Sequence, residues 1–156
     1  MSTAINKPIY LIAQNIRSLF NVGSFFRCGD VFGVAKIYLC GYTGFPPRNQ
    51  ISKTALGADE WLPWERKKQT LALIKRLKKQ GVKIVVLETG DKTIELPKFK
   101  PVFPMALVVG NEVEGVSQNI INQADAVVRI PMLGKKESLN VAVAASIALY
   151  HLRFGK

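Results

Sequence analysis

The chain has 156 residues, of which 48% are hydrophobic and 21% charged. This composition supports one hydrophobic core and excludes extended disorder. Lysine and arginine number 22 against 11 acidic residues, and the resulting net charge of +11 favours a polyanionic partner, with nucleic acid the leading class. Plain solubility is the alternative, although it needs a net charge of only about 2 to 8 in a small domain.

Five short apolar runs predict β-strands. Several of them have no alternating polar face, which is typical of strands that are buried on both sides of a parallel sheet. We therefore predict an α/β fold with a parallel sheet flanked by helices. The predicted strands cover residues 8–13, 35–40, 82–88, 104–110 and 126–130.

Two helices are predicted between these strands. In the first, apolar residues recur at spacings of three and four from Val22 to Phe32, with Asn21 as the predicted N-cap and Gly33 as the end. The second covers residues 69–80, where an apolar stripe lies opposite four cations. Such a charged face is usually a solvated one, but it is also a secondary candidate for RNA contact. The four cations are Lys75, Arg76, Lys78 and Lys79.

The last predicted helix covers residues 138–154. It has no charged residue between Val141 and Tyr150, so it is apolar on every side. A helix of this kind must be covered, and in a short chain a second protomer is a natural cover. We expect a homodimer, and burial within the helix's own domain is the alternative.

Several kinds of site are excluded. His151 is the only histidine, and Cys28 and Cys40 form neither a disulfide pattern nor a zinc motif, so we expect no metal. The first strand is followed by Gln14 rather than by a glycine-rich dinucleotide fingerprint, and the glycine-bracketed turn 110–115 lacks the lysine of a P-loop. Because the two cysteines give no disulfide pattern, a protein of the reducing cytoplasm is expected. No apolar run reaches the length of a membrane span.

Three polar clusters lie at or just after predicted strands. They are N-x-G-x-x-x-R at residues 21–27, G-N-E-x-x-G at 110–115, and I-P-M followed by S-L-N-V within 130–141. Each cluster alone is ordinary for a loop of an α/β protein. Together and in this order they are specific, and open α/β sheets place their sites at the carboxyl ends of strands.

These clusters resemble the three motifs of the SpoU (TrmH-like) family of RNA ribose 2′-O-methyltransferases, within the SPOUT superfamily. The resemblance covers essentially the whole chain, and residues 53–58 also look like a segment common in the family. It implies a SPOUT-type α/β fold with a C-terminal trefoil knot, S-adenosylmethionine as cofactor, tRNA or rRNA as substrate, and an active site completed across a homodimer. Residues 1–156 would form a single catalytic domain without a separate RNA-binding extension.

The resemblance also implies roles for individual residues. The expected catalytic residues are Arg27, Asn21, Glu112, Ser138 and Asn140. The cofactor is expected to contact Leu87, Gly110, Ile130, Met132, Ser138 and Leu139. RNA contacts are expected from the cations that flank the motifs, namely Arg17, Arg48, Lys53, Lys135 and Lys136. Phe20 and Cys28 depart from the family pattern, in which proline and threonine are common.

A guanidinium group is effectively always protonated in proteins. We therefore expect Arg27 to stay charged and to stabilise the developing alkoxide, while the proton leaves to a substrate phosphate or water. Glu112 would pair with Arg27 or with polar groups of the third motif. Two alternatives stay open, namely a non-catalytic RNA-binding protein and a SPOUT enzyme that methylates a base.

Overall fold

The computed structural model describes residues 6–156, and these contain one sheet of seven parallel strands in the order β3-β2-β1-β6-β4-β7-β5. The strands are β1 (Ile9–Gln14), β2 (Lys36–Cys40), β3 (Trp64–Lys67), β4 (Lys83–Leu87), β5 (Ile94–Glu95), β6 (Met105–Val109) and β7 (Ala126–Arg129). The α-helices are α1 (Leu19–Val31), α2 (Asn49–Ala55), α3 (Ala58–Trp61), α4 (Thr70–Lys79), α5 (Gln118–Ile121) and α6 (Val141–Phe154). The predicted parallel sheet with flanking helices is confirmed, whereas the knot stays a prediction.

The centre of the sheet is buried and mostly apolar. β1 lies between β2 and β6, with Leu11 opposite Ile37 on one side and Leu107 on the other. All three side chains are completely buried. A strand without a polar face needs cover on both sides, and helices provide it here.

Alternate strand residues point to two separate cores. On one face, Leu11 and Leu107 pack with Phe25 of α1 and Leu149 of α6. On the other face, Ile12 and its neighbours pack with α4 and α5, through residues that include Ile74, Leu77 and Ile120. The apolar stripe predicted for residues 69–80 is therefore the inner face of α4.

Two predicted helix starts are wrong. The N-cap of α1 is Ser18, whose Oγ accepts a hydrogen bond from the Asn21 backbone N–H at 3.2 Å, so Asn21 lies inside the first turn. The last helix begins at Val141 rather than Ser138. Asn140 is its N-cap, because the Asn140 Oδ1 accepts hydrogen bonds from the backbone N–H groups at positions 142 and 143.

Several short elements were not predicted. β3 forms one edge of the sheet and carries three charged residues, so it has no apolar signal. Its Glu65 pairs with Lys36 at 3.3 Å and Lys67 at 3.5 Å. β5, at the other edge, has only two residues, and α2, α3 and α5 have seven or fewer. Between residues 6 and 156, no helix is long and apolar enough to cross a membrane.

Among residues 6–156, one face of α6 is covered by its own domain and the other is not. Ala145 and Leu149 are completely buried, so a charge introduced at Ala145 would test folding rather than assembly. The opposite face forms an apolar stripe whose residues are between 41% and 58% exposed. The stripe consists of Val143, Ile147, Tyr150 and Phe154.

Arg153, in the last turn of α6, ties the two ends of the described chain together. Its guanidinium donates hydrogen bonds to the carbonyl oxygens of Phe32, Gly33 and Lys7, at 2.9, 3.0 and 2.8 Å. The side chain is buried, and these carbonyls include those at the end of α1. Arg153 therefore fixes α6 against α1 and against the entry to β1.

Replacing Arg153 with methionine should destabilise the fold by about 3 kcal/mol, because three carbonyl oxygens lose a charged donor. Urea unfolding followed by circular dichroism measures this change. Arg76→Met, on the exposed face of α4, is the matched control and should change the free energy of unfolding by less than about 0.5 kcal/mol. Equal effects of the two substitutions would contradict this role of Arg153.

Candidate active site

A cleft lies where three adjacent strands end. β6, β4 and β7 are neighbours in the sheet, and all seven strands are parallel, so their carboxyl ends meet at one edge. The segments that follow these strands line a cleft of about 600 Å³, together with the first turn of α6. The lining residues fall within 87–89, 109–115, 130–132 and 137–144.

Glu112 holds the beginning of α1. Its two carboxylate oxygens accept hydrogen bonds from the backbone N–H groups of Arg17 and Ser18, both at 2.9 Å. Oε2 also accepts from the Asn21 side-chain amide at 3.0 Å. A carboxylate at the amino end of a helix is favoured by the free N–H groups and by the helix dipole.

Asn21 extends this contact to the third motif. Its Oδ1 accepts a hydrogen bond from the Asn140 side-chain amide at 3.2 Å, while Asn140 also caps α6. One amide thus connects Glu112 with Asn140, and through them it connects the starts of α1 and α6. Glu112 therefore contacts the polar groups of the third motif indirectly.

The hydrogen bonds of Glu112 decide its protonation. Burial alone would raise the pKa of this carboxyl, but the N–H groups of Arg17 and Ser18 and the amide of Asn21 outweigh burial, and the pKa lies below its ordinary value. Glu112 is therefore ionised at neutral pH. A carboxylate with a low pKa and three donors is a poor proton acceptor, so Glu112 is suited to positioning rather than to general-base catalysis.

Gly110 and Glu88 shape the cleft wall. A side chain at position 110 would collide with the backbone of Gly115 and Val116, so only glycine allows the turn 110–115 to close. Glu88 follows β4, and its carboxylate accepts hydrogen bonds from the N–H groups of Val116 at 2.9 Å and Thr89 at 3.0 Å. We did not predict Glu88 as a site residue, although a polar residue directly after a buried strand was a usable signal.

All six residues expected at the cofactor line this one cleft, namely Leu87, Gly110, Ile130, Met132, Ser138 and Leu139. Of the expected catalytic residues, Glu112, Ser138 and Asn140 also line it, and Asn21 contacts two of them. Among the described residues, the lining contains four carboxylates, Glu88, Glu112, Glu114 and Glu137, and no lysine, arginine or histidine. In a chain with a net charge of +11, such a cleft suits a ligand that is cationic and carries no phosphate.

Arg27 lies elsewhere. It is exposed and lines a second cleft of about 430 Å³ between α1, α2 and α6, together with Lys53 and Ser146. Within residues 6–156, no hydrogen bond or ion pair joins Arg27 to Glu112, so the direct pairing considered from the sequence does not form in one protomer. Asn21 and Arg27 are six residues apart on α1, which places them on different faces of the helix.

The cations expected to contact RNA are all exposed. Arg17 precedes α1, Arg48 precedes α2, and Lys135 and Lys136 belong to the loop at the mouth of the first cleft. The cations of α4 are placed differently. Lys78 donates a hydrogen bond to the carbonyl of Gln123, which precedes β7. The end of α4 therefore lies where the strands begin, whereas the cleft lies where they end.

Metal ligands are not grouped in the described part of the chain. No cluster of three or more histidine, cysteine, aspartate or glutamate residues within residues 6–156 could hold a metal ion.

The fold and the cleft together define an α/β protein with a cleft where the strands of a parallel sheet end, which is where such proteins bind their ligands. The chain belongs to the SpoU rRNA Methylase family, whose family model matches residues 8–150. The resemblance inferred from the three motifs is therefore confirmed.

Two relatives illustrate the range of the family. The chain is 32% identical over 143 residues to the 23S rRNA (guanosine-2′-O-)-methyltransferase RlmB of Vibrio parahaemolyticus, covering 92% of this chain and 58% of that protein. It is 31% identical over 145 residues to a tRNA (guanosine(18)-2′-O)-methyltransferase of Aquifex aeolicus, covering 92% of this chain and 68% of that protein. The chain thus spans less than two thirds of the length of the Vibrio protein.

Solved structures agree with the fold. An AdoMet-bound rRNA methyltransferase from Sinorhizobium meliloti superposes with a TM-score of 0.86 at 26% identity, covering 94% of this chain and 56% of that one. The TrmH/SpoU tRNA modifying enzyme of A. aeolicus gives a TM-score of 0.85 at 30% identity, covering 94% and 74%.

The lowered pKa of Glu112 predicts a pH-dependent stability. A carboxyl whose pKa is lower in the folded state stabilises the fold above its ordinary pKa of 4.5, and this contribution is lost as the pH falls through the lowered value. Glu112→Gln should therefore be less stable than the unchanged protein at pH 6, and the difference should shrink as the pH falls from about 5 to about 3. Urea unfolding across this range measures it.

Glu114→Gln is the matched control, because Glu114 is exposed on the same turn and, within residues 6–156, its side chain makes no hydrogen bond. It should follow the unchanged protein at every pH. A Glu112→Gln curve parallel to that of the unchanged protein would show that the hydrogen bonds do not favour the ionised carboxylate.

Proposed function

We propose that this protein transfers a methyl group from S-adenosylmethionine to a ribose 2′-hydroxyl of RNA. The observation that carries the proposal is the hydrogen-bonded chain from Glu112 through Asn21 to Asn140, at the edge of an acidic cleft. This chain joins one residue from each of the three family motifs. Relatives named for 2′-O-methylation of 23S rRNA and of tRNA support the reaction and the substrate class.

The first cleft, which is lined by Glu88, Glu112 and Asn140, fits the proposed cofactor and is called the cofactor cleft. S-adenosylmethionine carries no phosphate and bears positive charge on its sulfonium and amino groups, which matches a lining with four carboxylates and no cation. Apolar side chains suited to an adenine ring lie in the same cleft, among them Leu87, Ile130 and Met132. When bound, the cofactor supplies an electrophilic methyl group, and the relative from S. meliloti was solved with AdoMet.

The residues of the protein would position the ribose and stabilise charge. Glu112 and Asn140 fix the starts of α1 and α6. Ser138, two residues before Asn140 in the chain, is exposed and lines the same cleft. Arg27 would stay charged and donate hydrogen bonds to the 2′-oxygen of the ribose. As the 2′-hydroxyl loses its proton, these hydrogen bonds would stabilise the negative charge that develops on the oxygen. Phosphate of the RNA or water would accept the proton.

Arg27 would reach the cofactor cleft of a second protomer. The apolar stripe of α6 starts at Val143, between two residues that line the cofactor cleft, Val141 and Ala144. Ile147 directly follows Ser146, which lines the cleft of Arg27. The stripe reaches the carboxyl end of α1, because the ring of Tyr150 lies 6.0 Å from that of Phe32, the C-cap of this helix. A homodimer formed through this stripe would cover it and bring the Arg27 of one protomer toward the cofactor cleft of the other.

Transfer of a labelled methyl group from S-adenosylmethionine to total tRNA or to rRNA tests the reaction. We expect incorporation without added metal, and digestion of the product to nucleosides should place the label on ribose. Arg27→Lys should lower the rate by about 100-fold or more, because lysine lacks the planar fork of donors. Binding of S-adenosylmethionine, measured by calorimetry in the presence of a chelator, should be unchanged in this variant.

Label on a base would show that the protein is a base methyltransferase instead. RNA binding without any transfer would favour the non-catalytic alternative. Full activity of Arg27→Lys would show that Arg27 does not contact the reacting oxygen.

Ile147→Glu tests the dimer. Two carboxylates placed in an apolar interface would be desolvated without partners, so we expect a monomer of 17.3 kDa that has lost methyl transfer but still folds. Light scattering and circular dichroism measure these outcomes. Val102→Glu, an exposed apolar residue outside the stripe, is the control and should stay dimeric and active. If the protein without any substitution is monomeric and active, the proposal that two protomers share the site is wrong.

A further inference from the structure

Tyr42 is an exposed aromatic residue that is held at both ends. It lies in the loop after β2, at the same edge of the sheet as the cofactor cleft. Its backbone N–H donates a hydrogen bond to the Asn15 Oδ1 at 3.2 Å, and its hydroxyl oxygen accepts one from the Asn111 side-chain amide at 2.6 Å. The residue is nevertheless 60% exposed. The backbone N–H and the hydroxyl group of Tyr42 are thus both held by hydrogen bonds, while most of the residue's surface faces solvent.

Asn111 links Tyr42 rigidly to the site. Its amide nitrogen also donates to the Asn15 carbonyl at 3.0 Å, and its Oδ1 accepts hydrogen bonds from the N–H groups of Val113 and Glu114, both at 2.8 Å. Asn111 itself is buried. Because it directly precedes Glu112, Tyr42 is held at a defined position beside the turn that carries Glu112.

The surroundings of Tyr42 favour single-stranded RNA. Arg17 is exposed, and its backbone binds Glu112, so this cation lies on the same side of the site. Arg48 is exposed six residues after Tyr42 in the same loop. Proteins that bind single-stranded RNA combine cations for phosphates with aromatic rings on which unpaired bases stack. A ring that is already held in place loses little conformational freedom when a base binds to it.

We propose that Tyr42 stacks against an unpaired base of the RNA substrate next to the ribose that is methylated. This inference rests on the proposed function, since it names the surface that would hold that RNA beside the cofactor cleft. It also specifies the substrate further. The target ribose belongs to a loop, a bulge or an otherwise unpaired segment, because a base within a duplex cannot present its face to Tyr42.

Binding of fluorescein-labelled r(A)12, measured by fluorescence anisotropy, tests the proposal. The same strand annealed to r(U)12 serves as the duplex probe. Tyr42→Leu should bind the single strand about tenfold more weakly, because a stacked base is lost. Tyr42→Phe and Tyr42→Trp should bind within about twofold of the unchanged protein, since both keep an aromatic face. Duplex binding and S-adenosylmethionine binding should be the same in all four proteins.

The phenylalanine variant separates stacking from a purely structural role. If Tyr42 only holds Asn111, Tyr42→Phe loses the hydrogen bond and should be as impaired as Tyr42→Leu, with weaker S-adenosylmethionine binding in both. That result would overturn the proposal, as would equal losses for single strand and duplex. Dissociation of Tyr42→Leu into monomers in light scattering would assign the ring to a protein interface and overturn it too.

The methyl-transfer assay keeps the two proposals apart. If the unchanged protein methylates RNA while Tyr42→Leu keeps its KM for RNA and its affinity for r(A)12, the stacking role fails and the proposed function stands. If single-strand binding depends on the ring but no methyl is transferred, the proposed function fails and the stacking surface stands. An unchanged protein that binds neither probe overturns the stacking role.

Discussion

The side-chain amide of Asn21 is the point at which three distant parts of the chain meet. Its nitrogen donates to Glu112, 91 residues away, and its oxygen accepts from Asn140, 119 residues away. An amide is suited to this position because it is donor and acceptor at once and carries no charge. An aspartate would repel Glu112, and a leucine would leave both partners without their contact. This one group connects the starts of α1 and α6 with the cleft wall at 110–115.

Much of the fold followed from hydrophobic pattern, because its main elements are long and fully buried. The five predicted strands and the helix at 70–79 lie within one or two residues of their observed bounds. β3 was missed because an edge strand does not need two apolar faces, and Glu65 pairs with neighbouring lysines instead. β5 has only two residues and carries no periodicity. The start of α1 was misplaced because Ser18 and Asn21 are both good N-cap residues, and tertiary contacts decide between them.

The site was partly predictable for a different reason. The three motifs resemble a family, and this resemblance named Glu112, Asn140 and Arg27 together. Their separation into two clefts was not readable from the sequence, since it depends on which faces of α1 point toward α2 and toward the turn 110–115. The hydrogen bonds that hold Tyr42 were also not predictable from the sequence. The glycine and proline residues of 41–50 indicate a loop, but they do not show that the Tyr42 hydroxyl reaches Asn111.

The contacts of Asn21 also mean that the cleft is completed only after the last part of the chain has been synthesised. Asn140 directly precedes the last helix. A chain of only the first 130 residues therefore lacks the part of the cleft lining that follows β7, and its Asn21 lacks one of its two partners. Folds that depend on contacts between residues so far apart in sequence form slowly, because the loop must close before the contact is made. A chain that still lacks α6 would therefore have an incomplete cleft, and the face of the sheet that packs against Leu149 would lack that cover. Loss of a few C-terminal residues, including Arg153, would act on the anchoring of α6 and so on the site itself, even though every motif residue is still present.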